Sequence, residues 1–168
     1  MTFKLGTATR QHLEGVDPRL VDIFEKGILV SPIDFGVPAG CGVRTAEYQH
    51  SLYLKGRGGP GSGRIVTQKD GYKNPSNHQI REGEEFGRAT DVVPWVQGVF
   101  TWNWAYIYPM MAALHPIVKA SKLPIVWGGV WDRKFADLDP KNLEDEVQKY
   151  CDRHKGPDFP DGVHLELV

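Results

Sequence analysis

Three short stretches of this chain carry side chains that can do chemistry together: Ser76-Asn77-His78, Gly87-Arg88-Ala89-Thr90-Asp91 and Asp161-Gly162-Val163-His164-Leu165-Glu166. Between them they offer two imidazoles, a carboxylate and a spare acid. A hydrolytic zinc centre asks for that set. It uses about three protein ligands, commonly two histidines and a carboxylate, and keeps a fourth position for water. A further acid nearby can serve as base. The stretches lie far apart in sequence, so such a site has to be assembled by tertiary folding, not by a local finger.

The elements that must position these residues are partly readable. Asp17-Pro18 is a helix start, with Asp as N-cap and Pro at the first helical position, and Leu20, Val21, Phe24 and Ile28 follow at helical spacing with Gly27 helping to end the helix. Ile33 to Val37 alternates as a strand. Gly40-Cys41-Gly42-Val43-Arg44 then leads into a helix over Thr45 to Leu54, which puts Arg44 at a strand-to-helix junction. From Lys55 to Asn74 glycine is dense, giving a long loop around an extended piece at Arg64 to Thr67. Arg88 to Val93 reads as a buried strand. Trp102 to Lys119 is the largest helix, with Ile107, Met111, Leu114 and Val118 on one face, and Pro109 and Pro116 either kink it or mark its ends. Pro124 to Gly128 is a strand, Asp139-Pro140 caps a helix carrying Leu143, Val147 and Tyr150, and His164 to Val168 closes as a strand. Mixed elements without a regular βαβ rhythm predict an α+β fold.

A chain of 168 residues, 40% hydrophobic and 24% charged, is sized for one domain and one core. Its net charge of −1 predicts no electrostatic grip on nucleic acid or acidic lipid. Cys41 and Cys151 lack metal-knuckle or disulfide spacing and read as free thiols. No signal peptide and no membrane-spanning run is present, so a soluble monomer made in the cytoplasm is expected, with other factors delivering it to any substrate outside.

The motif order is informative as a whole. Gly42-Val43-Arg44-Thr45-Ala46-Glu47-Tyr48-Gln49, Leu52-Tyr53, Gly56-Arg57, Ile65-Val66-Thr67, Ser76-x-His78, Gly87-x-Ala89-x-Asp91, Trp127-Gly128-Gly129 and Asp161-x-x-His164-x-Glu166 follow one another over residues 12 to 168. This order resembles the zinc peptidoglycan peptidases, the D-alanyl-D-alanine carboxypeptidases and L-alanyl-D-glutamate endopeptidases, in particular phage endolysins. The resemblance implies a single-domain α+β fold shared with hedgehog domains, a small antiparallel sheet flanked by helices. It implies zinc held by His78, Asp91 and His164, with Asp161 as catalytic acid/base, Arg44 facing the substrate, and the peptidoglycan stem peptide as that substrate. No separate wall-binding domain is expected, because the catalytic motifs occupy nearly the full length.

One departure matters. The family pattern places its first histidine seven residues before the aspartate, whereas His78 and Asp91 are thirteen apart. The extra residues fall within Gln79 to Phe86, and Glu84 stands where the shorter spacing would put the ligand. His78 is preferred, because Ser76-x-His78 keeps the motif serine and imidazole is the better zinc donor. Asp161 and His164 point to opposite faces of an extended strand, so the chain must bend between them, which Gly162 makes cheap. Glu166, two residues beyond His164, shares its face and can orient it.

Plainer readings exist for each residue. His164 alone would be a hydrogen-bonded core histidine, Asp91 a strand-end carboxylate, Arg44 a solvated helix-start residue and Ser76 a loop cap instead of a substrate contact. His12, His50, His115 and His154 fit no ligand spacing, His50 and His154 falling on solvated helix faces. The five tryptophans read as core or cleft wall, and Glu144-Asp145-Glu146 as a first helical turn needing no partner. The expectation is a zinc peptidase cleaving the L-alanyl-D-glutamate bond. A D,D-carboxypeptidase or dipeptidase on the same scaffold is the alternative, and a zinc-containing binding module without turnover the more distant one.

Overall fold

The computed structural model describes residues 2–58, 63–156 and 159–168. Within them the chain runs α1 (Thr7–His12), α2 (Pro18–Val30), β1 (Phe35–Gly36), α3 (Ala46–Leu54), β2 (Ala89–Asp91), β3 (Val93–Val96), β4 (Val99–Phe100), α4 (Trp104–Ser121), β5 (Ile125–Trp127), β6 (Val130–Lys134), a 3-10 turn (Phe135–Asp137), α5 (Leu143–Arg153) and β7 (His164–Leu167). The strands pair antiparallel in two small sheets, β1-β3-β4 and β2-β7-β5-β6. The α+β expectation holds, with two sheets where one was expected. The division falls inside the predicted strand 88–93. Residues before Val92 pair with β7 and those after it with β1, so the chain changes sheets at that residue.

The helices form for identifiable reasons. Asp17 caps α2, its carboxylate accepting from the Arg19 amide at 2.9 Å, and Pro18 takes the first position. Gly27 does not end this helix, which continues to Val30. It lies buried where α2 packs on α4, and a Cβ there would come 2.1 Å from Leu114 Cδ2. Glycine is thus present for close approach of the two helices, despite costing about 1 kcal/mol against alanine in a helix interior. Both Pro109 and Pro116 sit inside α4 and neither marks an end. Its buried side chains Ile107, Met110, Met111, Leu114 and Val118 form the middle of the core with Leu20, Ile23, Phe24, Trp127 and Phe135.

Other boundaries moved. Asp139-Pro140 does not cap α5. Asp139 closes a turn, accepting from the Lys141 amide at 3.0 Å and from Asn142 Nδ2 at 2.7 Å, and the helix starts at Leu143. Of the acids in its first turn, Glu146 is buried and pairs with Arg133 at 2.7 Å, so it does have a partner. The loop 55–74 forms as expected, without a paired strand among its described residues, and residues 59–62 lie outside them. It is tied to α3 by Gln49 Nε2 donating to the Lys69 carbonyl at 3.0 Å and by His50 Nδ1 at 2.9 Å from the Asp70 carbonyl. His50 and His154 are half-buried, not solvated, His154 stacking on Tyr150 at the end of α5. Cys41 and Cys151 are free thiols. Of the tryptophans, Trp127 is core, Trp104 and Trp131 are half-buried, and Trp95 and Trp102 are exposed. Among the described residues no helix is long and apolar enough to cross a membrane.

Candidate active site

The site is built on the β2–β7 pair. Antiparallel register sets Asp91 directly opposite His164, and Ala89 opposite Glu166. Because strand side chains alternate, these four share one face while Leu165 and Leu167 point into the core. His78 arrives from the preceding loop. Its carbonyl accepts from the Arg44 amide at 3.0 Å and its Nδ1 lies 2.8 Å from the Gly42 carbonyl. Gly42 itself must be glycine, since a Cβ there would fall 1.9 Å from the His12 carbonyl oxygen.

His78 Nε2, His164 Nδ1 and Asp91 Oδ1 form a nearly equilateral triangle, with edges of 3.2, 3.1 and 3.3 Å. Two donor atoms held about 2.0–2.1 Å from one tetrahedral metal are about 3.3 Å apart, so the three atoms match one face of such a polyhedron. The outward nitrogens support this. The Nδ1–H of His78 donates to the Gly42 carbonyl, and His164 Nε2, 3.0 Å from Glu166 Oε2, donates to that carboxylate. With those protons outside, three acceptors face one another, and only a cation between them relieves the repulsion. Asn77 Nδ2, 2.9 Å away, holds Glu166 in turn. The buried group His78, Asp91 and His164 can therefore hold a metal ion.

The electrostatics agree. Burial pushes the His78 pKa down. Burial acts the same way on His164 but is outweighed by its hydrogen bonds to Asp91 and Glu166, and the ring is raised to about 10. Burial works against the charge of Asp91, yet His78 and Arg44 beside it hold its carboxyl well below the usual range. A cation thus belongs here, whether proton or metal.

Asp161 reaches the same site through the predicted bend: its carbonyl accepts from the His164 amide at 3.2 Å, and its own amide donates to Gly128 at 2.8 Å. Gly162 is needed there for space instead of for turning, because a Cβ would lie 2.7 Å from the Trp104 ring and the residue has no positive φ. Burial first, and the charge of Asp91 second, raise the Asp161 carboxyl to about 6. Arg44 engages three of its N–H donors within the protein. Nη2 donates to Asp91 Oδ2, Nε to the Gly40 carbonyl at 2.7 Å and Nη1 to Gln49 Oε1 at 3.3 Å. Its contact with Asp91 was not foreseen, though both residues were singled out in the sequence. Ser76 is buried, and its Oγ accepts from the His78 amide at 3.3 Å, which makes it a cap for the ligand loop. Glu84 stands apart, paired with Arg88 at 3.3 Å.

The sequence profile of phage L-alanyl-D-glutamate peptidases matches residues 1–168. The chain belongs to that family. It is therefore a peptidase, and its substrate is peptidoglycan. The peptidase also resembles the crystal structure of the Serratia marcescens L-Ala D-Glu endopeptidase ChiX, at 20% identity and a TM-score of 0.58, over 99% of this chain and 91% of that one, which shows the shared fold. No curated protein matches it in sequence.

Around the triangle the peptidase has a recess of about 320 Å³, lined by Arg44, Thr67, Lys69, Ser76, Asn77, Trp131, Asp161 and Glu166 among others. The Trp131 ring lies tilted against His164 with centroids 4.9 Å apart, and its Nε1 donates to the Phe159 carbonyl at 2.9 Å. No signal in the sequence marked Trp131 out from the other tryptophans.

Proposed function

We propose that this peptidase is a zinc enzyme that cleaves the L-alanyl-D-glutamate bond of the peptidoglycan stem peptide, as an endolysin delivered across the membrane by another protein. The observation that carries the reading is the triangle of acceptor atoms from His78, Asp91 and His164, with Asp161 in the same recess. Two imidazoles and one carboxylate suit zinc among the divalent ions. Such an ion would polarise the scissile carbonyl and acidify water at its open position.

The chain's own residues supply the rest. Asp161, with its carboxyl raised to about 6, is ionised at neutral pH yet basic enough to take the proton of the attacking water and pass it to the departing glutamyl amine. Glu166 fixes the tautomer of His164, and the Gly42 carbonyl fixes that of His78. Arg44 steadies Asp91 and, from the recess wall, faces the carboxylates of the stem peptide. Ser76 shapes the loop that delivers His78 and borders the same wall. The whole described chain acts as a single catalytic domain, a monomer with no nucleic-acid partner.

Asp161→Ala tests the mechanism. Hydrolysis of purified sacculi should fall by at least about 10²-fold while the metal stays bound. Full activity in that variant would remove the proposed base. Mass spectrometry of the released fragments tests the bond: new amino-terminal D-glutamate supports it, and release of terminal D-alanine would favour the carboxypeptidase alternative.

A further inference from the structure

A second recess of about 470 Å³ adjoins the catalytic one, and Val66, Phe159 and Asp161 line both. Its character is different. The catalytic recess carries the charged and polar groups Arg44, Lys69, Asn77, Asp161 and Glu166, whereas the second is lined by Trp102, Trp104, Ile107, Phe159, Ile65 and Val66, and among the described residues Arg64 is its only charged group besides Asp161. Trp102 is 55% exposed, Phe159 39%, Ile65 38% and Val66 37%. Large apolar side chains left open along one groove mark a binding surface more often than an accident of folding. The floor begins at the reaction centre, since the Trp104 ring packs against Gly162, the residue after Asp161.

The substrate has a matching asymmetry. On the glutamyl side of the bond lie free carboxylates. On the alanyl side the alanine nitrogen is acylated by the lactyl ether of an N-acetylated amino sugar, so two methyl groups and then an uncharged pyranose follow the scissile carbonyl. About six bonds separate that carbonyl from the ring, a reach of roughly 7 Å. The polar recess, where Arg44 and Lys69 can face carboxylates, fits the first side and the aromatic groove the second, because the C–H face of a pyranose packs against an indole much as any apolar group does.

We infer that the groove beside Trp102 and Trp104 is a sugar subsite that binds the N-acetylated muramoyl ring on the alanyl side of the cleaved bond. This rests on the bond assignment made above. It makes the enzyme prefer glycan-linked peptide over free peptide, since contacts remote from the reacting atoms raise kcat/KM when they position the bond.

The test compares kcat/KM for a muramoyl-linked stem peptide with that for the same peptide carrying an N-acetyl group in place of the sugar. The wild type should favour the sugar-linked substrate, and Trp102→Ala should reduce the preference about tenfold. Ile65→Ser, elsewhere on the lining of the groove, should do the same, which guards against a folding defect in either variant. A preference unchanged in both variants, or absent in the wild type, overturns the subsite while leaving the bond assignment intact. A wild type that cuts neither substrate between alanine and glutamate overturns both.

Discussion

Raising the pH from about 6.5 to about 9 should tighten metal binding by a factor approaching ten for every unit. In the metal-free protein His164 holds its second proton with a pKa near about 10, and that proton points at Asp91 from Nδ1, the atom a metal would need. At pH 7 the ring is therefore about three units below its pKa, and displacing the proton costs about 4 kcal/mol, or roughly 10³ in apparent affinity. His78 and Asp91 are shifted the opposite way, downward, so neither carries a proton at neutral pH. Below the pKa of about 7 that zinc would give its bound water, binding should release one proton from the ligands, not two. Competition with a chromophoric chelator across this range would give the slope, and calorimetry in buffers of different ionisation enthalpy the proton count. A flat profile, or no proton released, would refute the account of His164 as a site shared by proton and metal. The same linkage gives a sign for stability. Because the folded pKa is raised, the stabilisation is complete below about 6.5 and is lost as the pH climbs toward about 10. The melting temperature of the metal-free protein should fall over that window, and that of the metal-loaded protein should fall less.

Other outcomes follow from single contacts. Glu166→Gln keeps the shape but weakens the acceptor for His164 Nε2, and metal affinity measured by chelator competition should drop about 10- to 100-fold. His78→Ala should abolish metal binding whereas Glu84→Ala, which removes only the pairing with Arg88, should leave it; loss in the second variant instead would show that the ligand set is misassigned across the inserted residues. Gly27→Ala should destabilise the fold by about 1–3 kcal/mol in thermal melts, because the new methyl meets Leu114 across the α2–α4 contact and the core must shift.

Where a helix starts could be read from the chain alone when the deciding interaction was local. The Asp17-Pro18 start and the helix beginning near Thr45, whose hydroxyl accepts from the Tyr48 amide at 3.1 Å, are set by neighbours a few residues away, and both were legible. The β5 and β7 strands were legible too, although they pair with each other across a long stretch of chain. The three candidate ligands were legible because their residue types and motif order survive an insertion. Gly27 was misread because a helix end and a helix crossing both favour glycine, and only the opposing Leu114 tells them apart. The break at Val92 left no trace, since a strand that changes sheets stays buried on both sides, as Val92 and Val93 are. α1 was missed because it is a single short run, and β4 and β6 were missed although each folds back on the strand just before it, across Gln97-Gly98 and Gly128-Gly129. The grip of Arg44 on Asp91, 47 positions away, and of Glu146 on Arg133 likewise came from folding and not from spacing.

The register of β2 against β7 has an effect on when the enzyme becomes active. Asp91 and His164 are 73 positions apart and become neighbours only when the last strand docks. Slipping that strand by one residue would send both His164 and Glu166 through to the oily side and bring Leu165 out into the cleft. With the site proposed above, a newly made or misaligned chain would be inert by construction, and lytic power would appear at the moment the final strand clicks into place.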